Sequence, residues 1–307
     1  MTALHSIPLP WHGLRVLIAT ILLACTILIA SSSVFAAPKE KPSDNSLEIK
    51  IARANWGQVE LADIQRLLTS VANEFQSYVD FNRERELKIR VIPRSGPPRV
   101  LYDLGPEGEY VVHLSARDKL WYQYAYQFAH ELCHIYSNFD HKERNHKDEI
   151  TTINQWFEES LCEAASIFTL QSLAESWEQS PPTRNWLGYA QVFASYADHL
   201  LAQAHRQLPS LQSIDHWYGE HQASLRENPY LRKKNELVAT ALLQMFEQDP
   251  QLWQAITYLN RDKTSAGKNF NGYLTDWHRT SPPRSKMLAA QAMVLFGNSS
   301  PQYNVPD

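Results

Sequence analysis

The 307-residue chain predicts an α+β fold, a small mixed sheet with helices followed by an all-helical unit. Three observations carry this. Short segments with strand-like alternation, LEIKIA, ELKIRVIP and EYVVHLSA, all end by Ala116. Apolar residues at helical spacing lie between and after them. Beyond EQSPPTRN, Glu178–Asn185, no alternating segment returns and the pattern is mainly helical. The expected organisation is a leader over 1–36, a linker over 37–47, an α+β unit over 48–179, a helical unit over 180–299 and a tail over 300–307.

In chain order, the leader carries Arg15, an apolar run Val16–Ala30 and the small-residue pattern Val34-Phe35-Ala36. This reads as a secretory signal peptide and predicts an exported protein, periplasmic or secreted. Two other readings use the same residues: an uncleaved anchor, since about 15 apolar residues are short for a span, or a lipidated Cys25. APKEKPSDNS is a Pro- and charge-rich linker. LEIKIA is the first strand, and VELADIQRLLTSVANEFQSYVDF is an amphipathic helix. ELKIRVIP, RVLYDL and EYVVHLSA are strands, the last two around the turn GPEGE.

Two helices follow, ARDKLWYQYAYQFAHELCHIYSNF and ITTINQWFEESLCEAASIFTLQSLAESW, with the polar loop DHKERNHKDE between them. Past EQSPPTRN, WLGYAQVFASYADHLLAQAHRQL predicts one helix. IDHWYGEHQASLRENPYLRKK looks irregular. LRKKNELVATALLQMFEQ and PQLWQAITYLN predict two more helices. The last has Ser281 as N-cap, Pro282 at its first position and Gly297 as its stop.

Composition excludes several functions. The net charge is -4 without a long basic run, so no nucleic-acid partner is expected. Only 10 glycines and no G-x-G-x-x-G argue against a phosphate-cradling loop. Without the leader two cysteines remain, Cys133 and Cys162, which allow one bridge at most.

The chemistry concentrates in QFAHELCHIY, Gln127–Tyr136. His130 and His134 are four apart, so on a helix both imidazoles reach one ion. Glu131 sits about 100° round, beside that ion. This is the arrangement of a zinc helix whose glutamate is a general base toward water. A catalytic zinc takes three protein ligands. Glu159 in WFEESLCEAAS is the preferred third, with Glu163 four residues on as a carboxylate that would accept a hydrogen bond from a ligand histidine. Glu158 has Cys162 four on and is not preferred. Asp140, six residues after His134, is the other candidate, placed where the metzincins, which this spacing also resembles, put a third ligand; that resemblance implies a chain-turning glycine, where Ser137 stands, and a methionine turn, whereas the remaining methionines lie in helical runs. Cys133 and Cys162 each lie three residues after a candidate ligand; two packed thiols are favoured over a bridge.

The pattern resembles the gluzincin metallopeptidases. H130-E-L-C-H134 matches their zinc helix, and W156-F-E-E159-S-L-C-E163 resembles their downstream glutamate motif. Glu158 and Ser160 replace the Asn and Gly of the aminopeptidase branch, whose G-x-M-E-N motif is absent. The resemblance implies a zincin-like core over about residues 48 to 175, one Zn2+, and a peptide or protein substrate hydrolysed by a zinc-activated water with Glu131 as base. It also places EYVVHLSA as a substrate-binding edge strand. It implies a late Tyr or His that stabilises the oxyanion. His221 and Tyr230 are the candidates, from a stretch that also holds His216 and Tyr218. His141 and His146 read as solvated. Two alternatives stay open: a zinc hydrolase acting on a non-peptide substrate, and a non-catalytic zinc-binding exported domain. A membrane contact is expected only through the N-terminus.

Overall fold

A four-stranded sheet forms from the alternating segments. The computed structural model describes residues 47–80, 86–144 and 149–298. The leader with Cys25, most of the linker, His146 and the tail lie outside the described residues. Strands β1 (Leu47–Ile51), β2 (Leu87–Pro93), β3 (Arg99–Val100) and β4 (Tyr110–Leu114) are ordered β1-β2-β4-β3. β1 and β2 are parallel with Leu47 opposite Leu87, and β2 and β4 are parallel with Ile89 opposite Tyr110. β3 runs antiparallel to β4, Arg99 opposite His113.

β2 keeps its alternation, burying Leu87, Ile89 and Val91 while Arg90 faces solvent. β4 buries four of its five residues, the mark of an interior strand. This corrects one expectation. EYVVHLSA is not the sheet edge; the two-residue β3 is, and it lies on the cavity side.

The helices are α1 (Leu61–Gln76), α2 (Trp121–Tyr136), α3 (Gln155–Gln179), α4 (Ala190–Leu201), α5 (Ile214–Glu227), α6 (Arg232–Gln248), α7 (Phe270–Thr280) and α8 (Lys286–Leu295). α1 buries Ile64, Leu67, Leu68, Val71 and Phe75 on one stripe and packs on α2. In α3, 18 of 25 residues are buried, so it is the central helix and not an amphipathic cover. It packs on α2 on one side and on α4 and α6 on the other. The helices after residue 180 are therefore built directly on the second motif helix. Buried Ser160 and Ser166 donate to the carbonyls of Trp156 (2.8 Å) and Cys162 (2.9 Å), which spares the core unpaired hydroxyls.

Three local expectations change. IDHWYGEHQASLRENPYLRKK is not irregular: most of it is α5, whose narrow apolar face is Ile214, Trp217, Tyr218 and Leu225. Gly219 and the polar majority hide that face in sequence. Ser281 does not cap the last helix; it ends α7, and α8 starts at Lys286, after Ser285. PQLWQAITYLN forms a 3-10 segment, Pro250–Tyr258, opened by Asp249 accepting from the Gln251 N–H at 3.1 Å. Gly297 does close α8, with a φ of +72° that glycine reaches without strain.

Trp253 of that segment is fully buried and stacks on Phe246 with planes 6° apart. Its ring also meets Phe75 of α1 edge-on, centroids 5.4 Å apart. Trp253→Ala should destabilise the protein by about 3–5 kcal/mol, read as a lowered urea midpoint at unchanged slope.

Candidate metal centre

The zinc-helix pattern becomes a surface on α2. Tyr124, Phe128, Ala129 and Leu132 enter the core, while Gln123, Gln127, His130, Glu131 and His134 line a cavity of about 1010 Å3. Gln127 fastens this face to the end of the sheet. Its Oε1 accepts from the Ser115 and Ala116 N–H groups at 2.9 and 3.1 Å.

α3 runs antiparallel along α2. Tyr126 meets Glu163, His130 meets Glu159, and His134 meets Glu158 and Glu159. His130 Nε2 lies 3.2 Å from Glu159 Oε2, and His134 Nε2 lies 3.6 Å from Glu159 Oε1. These three residues offer ligand atoms all within 4.8 Å of one another, the group among the described residues that could hold a metal ion. Two imidazole nitrogens and a carboxylate oxygen are a donor set that suits zinc.

The geometry also sets the tautomer. His134 Nδ1 donates to Glu158 Oε1 at 2.7 Å, which leaves Nε2 for an ion. Glu158 has no exposed surface, and its other oxygen takes Lys142 Nζ at 2.6 Å and Asn260 Nδ2 at 2.7 Å. Asn260 Oδ1 in turn accepts from the Tyr273 hydroxyl at 2.8 Å. Asn260 holds a left-handed φ of +54°, which asparagine tolerates better than most residues.

Burial would raise Glu158, but Lys142 and His134 outweigh it and bring it down to about 2. Burial would likewise raise Glu159, yet His134 and His130 hold it well below the usual carboxylate range. Burial would depress His134; Glu159 and Glu158 reverse this and hold it well above an ordinary histidine. Glu131 behaves differently. It is 3% exposed, and burial raises its carboxyl despite the two histidines. The Val100 backbone of edge strand β3 faces it and opposes that rise in part.

Some predicted residues fall elsewhere. Glu163 does not support a ligand histidine. It accepts from the Tyr126 hydroxyl and from Arg206 Nη2, the latter at 2.6 Å. The antiparallel pairing explains this, since four residues on from Glu159 faces four residues before His130. Glu158 does what was assigned to Glu163. Asp140 stays out of the cluster and accepts from the Tyr110 hydroxyl at 2.9 Å. The left-handed turn after α2 is made by Asn138, φ +56°, rather than by Ser137.

His221 does not line the cavity. It stacks on Trp217 at 4.4 Å in α5 and pairs its Nδ1 with the Trp217 carbonyl at 2.8 Å. Tyr230 does line it; the residue is 60% exposed, and partial desolvation at the cavity rim with nearby Glu159 and Glu158 raises its phenol. His216 is exposed beside Glu220, Tyr218 is a core ring against Trp156, and His141 is half-buried in the turn Phe139–His141. Cys133 and Cys162 are free thiols, wholly buried and in contact, and burial pushes Cys162 well up.

Lys142, Asn260 and Tyr273 escaped the sequence reading. Lys142 lies in a loop that reads as solvated, and the other two are remote in sequence. No family model matches the chain, and no curated protein matches it.

Glu158→Gln should weaken zinc binding about 10- to 100-fold, as loss of a histidine's carboxylate partner does, whereas Glu163→Gln should leave zinc affinity unchanged; competition with a chromogenic chelator reads both. A proton on His134 must leave before Nε2 can bind an ion. Because that proton is held above the ordinary histidine range, zinc affinity should fall as pH falls through and above about 6.5, by up to roughly tenfold per pH unit for one displaced proton. Affinity constant across that window would contradict the arrangement.

Proposed function

We propose that the protein is an exported zinc-dependent peptidase with a zincin-like catalytic unit. The observation that carries this reading is the buried Glu131, placed beside the convergent His130, His134 and Glu159. A structural metal site has no need of an extra buried carboxylate next to its ligands. His130, His134 and Glu159 would hold Zn2+, which when bound supplies Lewis-acid polarisation of a carbonyl and lowers the pKa of water.

The chain's own residues supply the rest. Glu131, whose carboxyl burial raises, takes a proton from the attacking water and returns it to the leaving amine. β3 is a sheet edge, and residues 96 to 102 border the cavity, so an extended peptide can lie along it by strand addition. Tyr230 keeps its proton and can donate to a substrate oxygen. Glu158 orients His134, and Lys142 and Asn260 hold Glu158.

The leader pattern at 1–36 supports export, and the mature chain should begin near Ala37 by N-terminal sequencing. An intact Met1 would turn the leader into an anchor. Purified mature protein should contain zinc and cleave members of a mixed peptide library, and chelation should abolish the cleavage. Glu131→Gln should keep zinc and fold but lose at least about 10²–10⁴-fold in turnover. Near-normal cleavage by that variant, or no cleavage of any peptide by the zinc-loaded wild type, would overturn the reading.

A further inference from the structure

The same cavity extends beyond the metal ligands to a second polar wall. Glu163 lies one turn beyond Glu159 on α3, and Tyr126 lies one turn before His130 on α2. That is about 5.4 Å along each helix, a step of one to two residues of extended peptide at about 3.3–3.6 Å each. Asn235 and Glu236 of α6 complete this wall, and all four residues line the cavity.

The wall is rich in acceptors. Asn235 is 5% exposed; its Nδ2 donates to the Pro229 carbonyl at 2.7 Å, which fixes the amide orientation. Its Oδ1 is buried without a hydrogen-bond partner. A buried acceptor without a donor is costly unless something arrives to satisfy it. Glu163 and Glu236 are 6% and 4% exposed, and both face the same space.

Two arginines balance the two carboxylates in different ways. Arg206 is 1% exposed and stands outside the cavity wall, with Nη2 2.6 Å from Glu163 and 3.4 Å from Glu236. It is a permanent counterion. Arg232 reaches Glu236 through Nε at 2.7 Å, but its side chain is 74% exposed. A pair whose cation stands in solvent contributes little and is readily exchanged. His205 Nε2 also contacts Glu236 from outside the wall. With Arg232 withdrawn and His205 neutral, Glu163, Glu236 and Arg206 leave one negative charge on the wall that Asn235 also lines.

We infer that Asn235, Glu236 and Glu163 form a substrate subsite for an amino group, which replaces Arg232 on Glu236 and donates to Asn235 Oδ1. This inference rests on the peptidase reading for the identity of its ligand. The ammonium has two sources, the free α-amino end of a peptide or a lysine side chain one to two residues from the scissile bond.

The test uses matched peptides in four forms: free amino end, acetylated end, lysine near the scissile bond, and norleucine in its place. Binding is measured by calorimetry on zinc-loaded Glu131→Gln protein, and cleavage on the wild type. One amino form should be favoured over its neutral match by roughly tenfold or more, since a pocket built for a donor rejects ligands lacking it. The favoured pair, α-amino or lysine, identifies the source. Asn235→Leu should bring that ratio toward one. Arg232→Ala should raise it; a fall would mean that the wall recognises an anion through Arg232, which overturns the inference.

Equal binding of amino and neutral forms, with or without cleavage, also overturns it. Preferential binding of the amino form with no cleavage by wild-type enzyme would sink the peptidase reading and leave the amino subsite standing.

Discussion

The interaction on which the site depends is the hydrogen bond from His134 to Glu158, a carboxylate with no exposed surface. An ionised group so placed is tolerable only if its oxygens are fully engaged. Lys142, Asn260 and His134 do this, one from the loop after α2, one from the segment before α7 and one from α2 itself. The demand of one buried charge thus ties both halves of the chain to one histidine ring. Removing a single partner would leave the buried charge less fully compensated, which is costlier than never burying it. The later helices are part of the centre's support for this reason.

The second constraint is the antiparallel run of α2 and α3. It arranges the polar residues in rungs: Tyr126 with Glu163, His130 with Glu159, His134 with Glu158 and Glu159. Each rung is about one turn from the next, so the proposed zinc position and the acceptor-rich wall share one cavity while keeping separate partners. At the wall, Glu163 is neutralised by Arg206; at the centre, Glu159 accepts from the neutral Gln155 amide at 2.9 Å and meets no positively charged group other than the two histidines. A carboxylate paired chiefly with imidazoles is what a divalent ion can enter.

β3 joins the sheet to this chemistry. Only Arg99 and Val100 pair with β4, and the Leu101 N–H still reaches the Val111 carbonyl at 3.0 Å. Alternation turns the Val100 N–H the other way, toward Glu131. One strand edge therefore faces the candidate base and borders the space a substrate would occupy. The short edge also limits the unpaired backbone that would invite association with other chains.

Periodicity and local spacing determined a good deal by themselves. The alternating segments became strands and the apolar stripes of α1, α2 and α6 became helices, because those patterns reflect which side of an element faces the core. His130 and His134 share a face for the same local reason, so their pairing was legible from two letters four apart. Glu159 is preferred over Glu158 in sequence because an acidic residue stands four on, and the structure brings it to both histidines.

What spacing could not supply was the direction in which α3 crosses α2. The i+4 rule speaks of one helix, so it selected Glu163, whereas the antiparallel packing hands His134 to Glu158 and Glu163 to Tyr126. The narrow face of α5, the interior place of β4 and the meeting of Lys142, Asn260 and Tyr273 around one carboxylate depend on contacts between residues far apart in sequence. Only the tertiary structure decided them, because a buried charge recruits whichever donors the packed chain brings within reach, and no local pattern encodes that.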